Sequence, residues 1–352
     1  MWHLPRIISS ARPSAWLTPL VSTPNRRDRN PMISTRSLTK RYGEVLAVDD
    51  LTFEVEPGRI TGFLGPNGSG KSTTMRMILG LDAPTSGEAT VAGKRYRDLD
   101  NPTRYVGALL DPEAVHTGRT ARAHLTWIAQ ASAVRKSRID EVLDIVGISH
   151  AADRRIGGFS LGMRQRLAIA AAILGEPEVL ILDEPLNGLD PQGIIWLREL
   201  LRDHANAGGT VLISSHLMNE MQKTADHVVV IAKGKLIVSE SLDAFERRAE
   251  ETVMVRSPKL EDLKAILQRR SGVEIAEAHD GLSVSGLSSL EIGELALSEH
   301  IALSELTPQV ASLEAQFIAM TENIDLERAA EAARETERAG AAEASAPERV
   351  SS

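Results

Sequence analysis

The chain has no cysteine, and aromatic residues make up only 3% of its 352 amino acids. Without thiols it cannot form disulfides, thiolate zinc sites or cysteine nucleophiles, which favours a reducing compartment such as the cytosol. Because it has no run of about 18 apolar residues, we expect any membrane role to pass through a partner. The net charge of -8 argues against a broad nucleic-acid-binding surface. A length of 352 residues suits one large domain and a smaller one.

The first 31 residues differ in composition from the rest of the chain. They carry five arginines and five prolines against the single acid Asp28, without a sustained apolar period. We expect a disordered extension over residues 1–31. Two other interpretations stay open. Met32 can be the natural start, since strand-like order begins at Ile33, or the extension can be a transit peptide, although no amphipathic helix is visible in it.

A phosphate-binding loop follows the apolar run 60–64. It matches the pattern Gly-x-x-x-x-Gly-Lys-Ser. In such a loop, backbone N–H groups surround the phosphates, the lysine adds charge near the β- and γ-phosphates, and the serine hydroxyl binds Mg²⁺. The pattern therefore predicts binding of a nucleoside triphosphate. The residues predicted to bind it are Gly65, Pro66, Asn67, Gly68, Ser69, Gly70, Lys71, Ser72 and Thr73.

Residues 32–240 alternate short β-branched strands with helix-length segments, a pattern typical of a mostly parallel sheet covered by helices. Three apolar runs end on polar residues. The run 60–64 leads into the phosphate loop, 179–182 ends at Asp183 and Glu184, and 210–215 ends at His216. Ligands bind at the carboxyl ends of parallel strands, so these residues are candidates for one site.

The acidic pair has the chemistry of a hydrolysis site. Asp183 is predicted to hold Mg²⁺ opposite Ser72, and Glu184 to orient an attacking water. An acidic pair that merely caps a strand is the alternative, and a lone histidine after a strand is usually a surface residue. Behind a complete phosphate loop, we predict that Asp183 is a metal ligand and that Glu184 and His216 are catalytic.

A further segment, Phe159, Ser160, Leu161, Gly162 and Met163, stands about twenty residues before the acidic pair. By itself it would be an ordinary serine-capped helix. In combination with the other motifs, residues 32–240 resemble the ATP-binding subunits of ATP-binding-cassette (ABC) transporters, and particularly their drug- and antibiotic-exporting branch. The resemblance implies an α/β phosphate-loop cassette over residues 32–245. In it a mostly parallel sheet carries an antiparallel subdomain and a helical lobe at about 112–165.

The resemblance also implies the cofactors ATP and Mg²⁺ and a set of residue roles. Tyr42 corresponds to the aromatic residue that stacks on adenine, although a half-buried strand tyrosine is the alternative. Ser160 and Gly162 would face the γ-phosphate held by an opposite subunit, and Asp190 would lie in the inter-subunit loop. His216 would be the switch histidine near the γ-phosphate.

Two positions depart from the family pattern. Met163 replaces the glutamine that closes the signature, which leaves Ser160 and Gly162 in place. Asp111 stands where the family supplies a glutamine to the metal and water, so it is the implied equivalent and a candidate metal ligand. A carboxylate there cannot donate a hydrogen bond, and it would repel phosphates unless a metal screened it.

The implied partners are a separate transmembrane permease and a second cassette, either another copy of this chain or a paralogue. ATP would close the two cassettes at the cytoplasmic face of the membrane, and helices predicted over 121–134 and 137–146 would belong to the lobe that contacts the permease. The alternative is a cassette that regulates or assembles a membrane complex without moving cargo. The chain lacks the paired cassettes of translation factors, the long coiled coil of repair ATPases and the Asn-Lys-x-Asp string of GTPases.

Beyond residue 250 the chemical motifs stop, and residues 250–322 are predicted to form a small α+β accessory lobe for contact or regulation. Substrate binding is the alternative. Residues 311–317 resemble a closing helix of the exporter branch, and 323–352 read as a disordered or frayed helical tail. The elements predicted in the lobe are a strand at 253–255, a helix at 260–269, a hairpin at 273–284 turning at Asp280 and Gly281, a helix at 289–297 and an apolar run near Ile301.

Overall fold

The computed structural model describes residues 31–247, 251–270, 272–278 and 281–310. The predictions for residues 1–30, for Asp280, for 311–317 and for the tail 323–352 lie outside these ranges. The chain divides into two compact units between Leu242 and Asp243. The domain limits of 32–245 and 250–322 stay predictions. Within the described ranges, no helix is both long and apolar enough to cross a membrane.

The described part of the first unit contains two sheets. A six-stranded sheet has the order β5-β6-β7-β3-β8-β9 and is parallel except for β9. A three-stranded antiparallel sheet, β2-β1-β4, is the antiparallel subdomain that was predicted. The strands are β1 (Ile33–Tyr42), β2 (Val45–Val55), β3 (Ile60–Leu64), β4 (Ser86–Val91), β5 (Val106–Leu109), β6 (Val179–Leu182), β7 (Thr210–Ser215), β8 (His227–Ala232) and β9 (Lys235–Ser241).

The three strands singled out in the sequence are direct neighbours. Strand β7 lies between β6 and β3, with Leu64 opposite Ser215 and Leu182 opposite Ile213. Every residue of these strands is buried, as expected for parallel strands covered on both faces. Their carboxyl ends therefore lie at one edge of the sheet, as expected for neighbouring parallel strands.

Helices cover the sheet and form the predicted helical lobe. Two of the predicted lobe helices end early: α3 stops at Ala131 because Ala133 adopts a left-handed φ of +53°, and Gly147 has a φ of +73° just after α4. Their apolar faces are buried, for example at Leu125 and Val142. The helices are α1 (Lys71–Ile78), α2 (Pro102–Tyr105), α3 (Ala121–Ala131), α4 (Ser137–Ile145), α5 (Leu161–Ile173), α6 (Pro191–Asn206) and α7 (Met218–Gln222).

The second unit is the α+β arrangement that the sequence predicts. Its antiparallel sheet has the order β11-β12-β10-β13, with a core that includes Val253, Leu263 and Ile292. The strand β13 was missed because it contains Pro308, and the sheet accommodates it at an edge. The elements are α8 (Leu242–Arg247), which begins at the boundary, β10 (Glu251–Arg256), α9 (Leu260–Leu267), β11 (Glu274–Ala278), β12 (Gly281–Ser285), α10 (Ser289–Ser298) and β13 (Glu305–Val310).

Candidate active site

The phosphate loop joins β3 to α1, and its glycines are required by close backbone approach. A Cβ at Gly65 would lie 2.5 Å from the Ile231 carbonyl oxygen. At Gly70 the φ is +104°, and a Cβ would lie 2.6 Å from the Ala47 carbonyl oxygen. Ser69 is buried, and its hydroxyl has no hydrogen-bond partner among the described residues. The loop thus presents its backbone at the start of a helix, where anions bind.

Lys71 is the first residue of α1 and is only 6% exposed. Its Nζ donates to the carbonyl oxygens of Gly65 and Pro66 over 2.6 and 3.2 Å, and it lies 3.8 Å from Oε1 of Glu184. Burial lowers the pKa of the ammonium group, and the nearby carboxylates of Glu184 and Asp183 oppose that shift. The ammonium group and the two carboxylates that stabilise its charge therefore lie beside the phosphate loop.

The residues predicted to hold Mg²⁺ have suitable chemistry. Ser72 is exposed on the first turn of α1, and Asp183 follows β6 at the same sheet edge. Mg²⁺ in nucleotide sites takes a few protein oxygens and completes its shell with phosphates and water. Within the described ranges no cluster of three or more His, Asp or Glu side chains is able to hold a metal alone. The donor set fits a magnesium ion that binds together with a nucleotide.

Asp183, Glu184 and His216 form one connected group. The Glu184 carboxylate lies 2.9 Å from Nδ1 of His216 through Oε2, while its other oxygen faces Lys71. The Ser214 hydroxyl donates to Oδ1 of Asp183 over 2.5 Å and accepts the Glu184 N–H over 2.8 Å. The arrangement places a carboxylate, a histidine and a lysine around one point, where they can bind phosphate and a water molecule.

The signature segment and the inter-subunit loop contact each other. Ser160 caps α5 by accepting the Met163 N–H over 3.3 Å. A Cβ at Gly162 would lie 3.0 Å from the Gly188 carbonyl oxygen, so the first turn of α5 packs on the loop. Asp190 caps α6 by accepting the Gly193 N–H over 3.0 Å. Among the described residues, no hydrogen bond or ion pair joins Ser160 or Asp190 to the phosphate loop.

Asp111 and Tyr42 lie at the edges of the site. Asp111 follows β5, and its Oδ1 accepts the Glu113 N–H over 2.8 Å, so the carboxylate caps its own turn. Tyr42 ends β1 with 48% of its surface exposed, and its hydroxyl donates to Asp82 over 3.0 Å. Lys40 lies over the ring of Tyr42 at 4.8 Å. The exposure is higher than the alternative of a half-buried strand tyrosine predicts, while Lys40 occupies one face of the ring.

Sequence reasoning missed two polar residues of the site. Ser214 follows the apolar residues 211–213 of β7, and the only signal that pointed to it was the adjacent pair Ser215 and His216. Gln165 is 1% exposed on α5 and donates from Nε2 to the Pro185 carbonyl oxygen over 2.8 Å. The sequence does not distinguish a buried polar residue of a helix from an exposed one, so this contact could not be predicted.

Comparison with known proteins identifies relatives over most of the chain. The family described as ABC transporter matches residues 48–187, and a domain of unknown function matches 251–314. The bacitracin transport ATP-binding protein BcrA of Bacillus licheniformis is 36% identical over 294 residues, 82% of this chain and 96% of the relative. The lantibiotic transport ATP-binding protein SrtF of Streptococcus pyogenes is 35% identical over 221 residues, 62% of this chain and 95% of the relative.

Solved structures that match this chain also come from ABC transporters. An ATP-binding subunit of an ABC transporter is 27% identical, with a TM-score of 0.57, and the match covers 62% of this chain and 92% of that one. A dimeric bacterial ABC transporter cassette is 25% identical, with a TM-score of 0.56 over 60% of this chain and 99% of that one. The fold, the motifs and the relatives therefore agree, and the chain belongs to the family of ABC transporter ATP-binding proteins.

Proposed function

We propose that this chain binds ATP with Mg²⁺ and hydrolyses it as the subunit that powers an ABC exporter. The observation that carries the proposal is the position of Glu184, whose two carboxylate oxygens face Lys71 at 3.8 Å and His216 at 2.9 Å. These residues come from the phosphate loop and from the ends of two neighbouring strands. A phosphate anchor and a water-activating carboxylate meet there.

The phosphates lie in the loop formed by residues 65–73, with Lys71 near the terminal phosphate. Ser72 and Asp183 would hold Mg²⁺, with Asp111 as a further oxygen ligand to the ion or its water. The ion would neutralise charge on the phosphates. The adenine stacks on the exposed ring of Tyr42. Each assignment uses an oxygen, a cation or a ring face that suits its target.

Hydrolysis uses the connected acidic group. Glu184 accepts a proton from the attacking water as the water oxygen bonds to the γ-phosphorus, and the bond from that phosphorus to the bridging oxygen breaks to release ADP. His216, hydrogen-bonded to Glu184, donates a hydrogen bond to the γ-phosphate. Lys71 stabilises the charge that develops on the phosphate oxygens. His216 orients Glu184 and contacts the phosphate at the same time, so both side chains are in place when the nucleotide binds.

Ser160, Gly162 and Asp190 act on the nucleotide of a second cassette. These residues lie at the start of α5 and in the loop 186–190, and the two segments contact each other. The start of α5 is the positive end of a helix dipole. The similarity to a dimeric cassette supports this arrangement. Two copies, or this chain and a paralogue, close on ATP and open after hydrolysis.

The relatives support a proposal for the cargo and the partner. Because their names specify bacitracin and lantibiotic transport, we propose an antibiotic, drug or lipid-like cargo. The chain then sits at the cytoplasmic face of the membrane, bound to a separate permease, and the accessory lobe of residues 250–322 serves contact or regulation. The names of the relatives favour transport over a cassette that regulates or assembles a membrane complex without moving cargo, and reconstitution with the partner tests this.

The test is the variant Glu184→Gln mixed with MgATP. We expect it to bind ATP, to form a dimer measurable by light scattering and to turn ATP over at about a hundredth of the wild-type rate or less. The double variant Glu184→Gln with Ser160→Phe should bind ATP but stay monomeric, and Lys71→Ala should fail to bind. Wild-type turnover in Glu184→Gln, or ATP trapped by a monomer, would contradict the proposal.

A further inference from the structure

Ser214 joins the two acidic residues of the site through a single hydroxyl. It is fully buried at 0% exposure near the end of β7, two residues before His216. The hydroxyl donates its proton to Oδ1 of Asp183 over 2.5 Å and accepts the N–H of Glu184 over 2.8 Å. A serine hydroxyl has one proton and free lone pairs, so both bonds form together.

The bond to the Glu184 N–H acts on an unusual backbone. Glu184 has a φ of +47°, in the left-handed region that residues with a side chain rarely adopt. Such a conformation persists only when its surroundings hold it. The Ser214 oxygen fixes the peptide that links Asp183 to Glu184, and that peptide sets where the Glu184 side chain points. The side chain points between Lys71 and His216.

The bond to Asp183 acts on the carboxylate itself. A hydrogen bond to an ionised acceptor is short and strong, and it holds the carboxylate plane in one orientation. Oxygen Oδ1 is thus engaged by Ser214, which leaves Oδ2 for other ligands. Residues that hold metal-binding carboxylates in this way affect metal affinity without touching the metal.

We propose that Ser214 is a positioning residue for hydrolysis, which orients Asp183 and Glu184 together. The inference rests on the proposed function, in which Asp183 holds Mg²⁺ and Glu184 activates water. Ser214 has no hydrogen bond with the phosphate loop in the described part of the chain. Its loss should therefore lower the turnover number and leave the affinity for ATP unchanged.

The test compares Ser214→Ala with Ser214→Thr and a matched control. We expect Ser214→Ala to lower kcat by roughly 10- to 100-fold. With magnesium saturating, KM should stay within about threefold of wild type, as should ATP binding measured without magnesium. Ser214→Thr keeps the hydroxyl and should recover most of kcat. The control Thr210→Val removes another buried hydroxyl of β7, one that has no partner among the described residues, and should leave kcat unchanged.

Each outcome supports or overturns the proposal. Wild-type kcat in Ser214→Ala overturns it, and so does an equal loss of ATP binding and kcat, which would indicate a purely structural residue. If Ser214→Ala does not fold, Ser214→Cys keeps the shape of the side chain with a weak hydrogen-bonding group and carries the same expectation. Wild-type turnover in Glu184→Gln would instead refute the proposed function, so the two failures are distinguishable.

Discussion

Gln165 on α5 donates a hydrogen bond from Nε2 to the carbonyl oxygen of Pro185 over 2.8 Å. Both residues are buried, and Pro185 directly follows Glu184. The bond therefore ties the helix that begins at Ser160 to the segment that carries the proposed base. Because a carbonyl oxygen buried without a partner is costly, this contact should contribute measurably to stability.

The substitution Gln165→Leu tests that contribution. Leucine leaves the Pro185 carbonyl oxygen without its donor, so the free energy of unfolding should fall by about 1–3 kcal/mol. Urea denaturation measures the change. The same substitution at the exposed Gln130 on α3 is the control and should stay within about 0.5 kcal/mol of wild type. Equal effects at both positions would show that the buried bond contributes nothing specific.

Asp111→Ala should reduce ATP turnover less than Lys71→Ala does. The Asp111 carboxylate caps its own turn through the Glu113 N–H, whereas Lys71 is buried between the phosphate loop and Glu184. Asp111→Asn retains the turn cap and separates the loss of charge from the loss of structure. Steady-state hydrolysis by the three variants makes the comparison. A collapse in Asp111→Ala as deep as in Lys71→Ala would make Asp111 a primary metal ligand.

The site residues that the sequence predicts are those fixed by local chemistry and strand order. The phosphate loop was readable because Gly65 and Gly70 occupy positions where a Cβ would collide with backbone. Asp183 was readable because it ends a continuous apolar run, and such runs lie side by side in a parallel sheet. In both cases the residue type and its position in the sequence predict the same role.

The parts that escaped prediction depend on contacts between distant segments. Ser214 and Asp183 are 31 residues apart in the sequence, and Gln165 and Pro185 are 20 apart. Hydrogen bonds between such distant residues produce no periodic pattern in the sequence. The early end of α3 depends on the left-handed backbone conformation of Ala133, which the presence of an alanine does not predict. Helix and strand periodicity finds elements, whereas these features arise only after the elements pack.

Tyr42→Ala should weaken ATP binding by about tenfold, because stacking of a base on an aromatic ring contributes about 1–3 kcal/mol. Tyr42→Phe is the matched control. It keeps the ring and loses only the exposed hydrogen bond to Asp82, which also pairs with Arg76. Titration with a fluorescent ATP analogue measures both variants. Equal affinity in the alanine and phenylalanine variants would remove Tyr42 from the adenine site.

His204, near the end of α6, should make stability depend on pH. The side chain is 9% exposed, and burial lowers its pKa to about 4, against about 6.5 in an unfolded chain. Between these values the unfolded chain binds a proton that the folded chain excludes, so the free energy of unfolding falls as pH falls from 6.5 towards 4. His204→Gln should reduce the loss between pH 7 and pH 5 by about 2 kcal/mol in urea denaturation. Parallel pH profiles for the two proteins would show that the buried imidazole does not resist protonation.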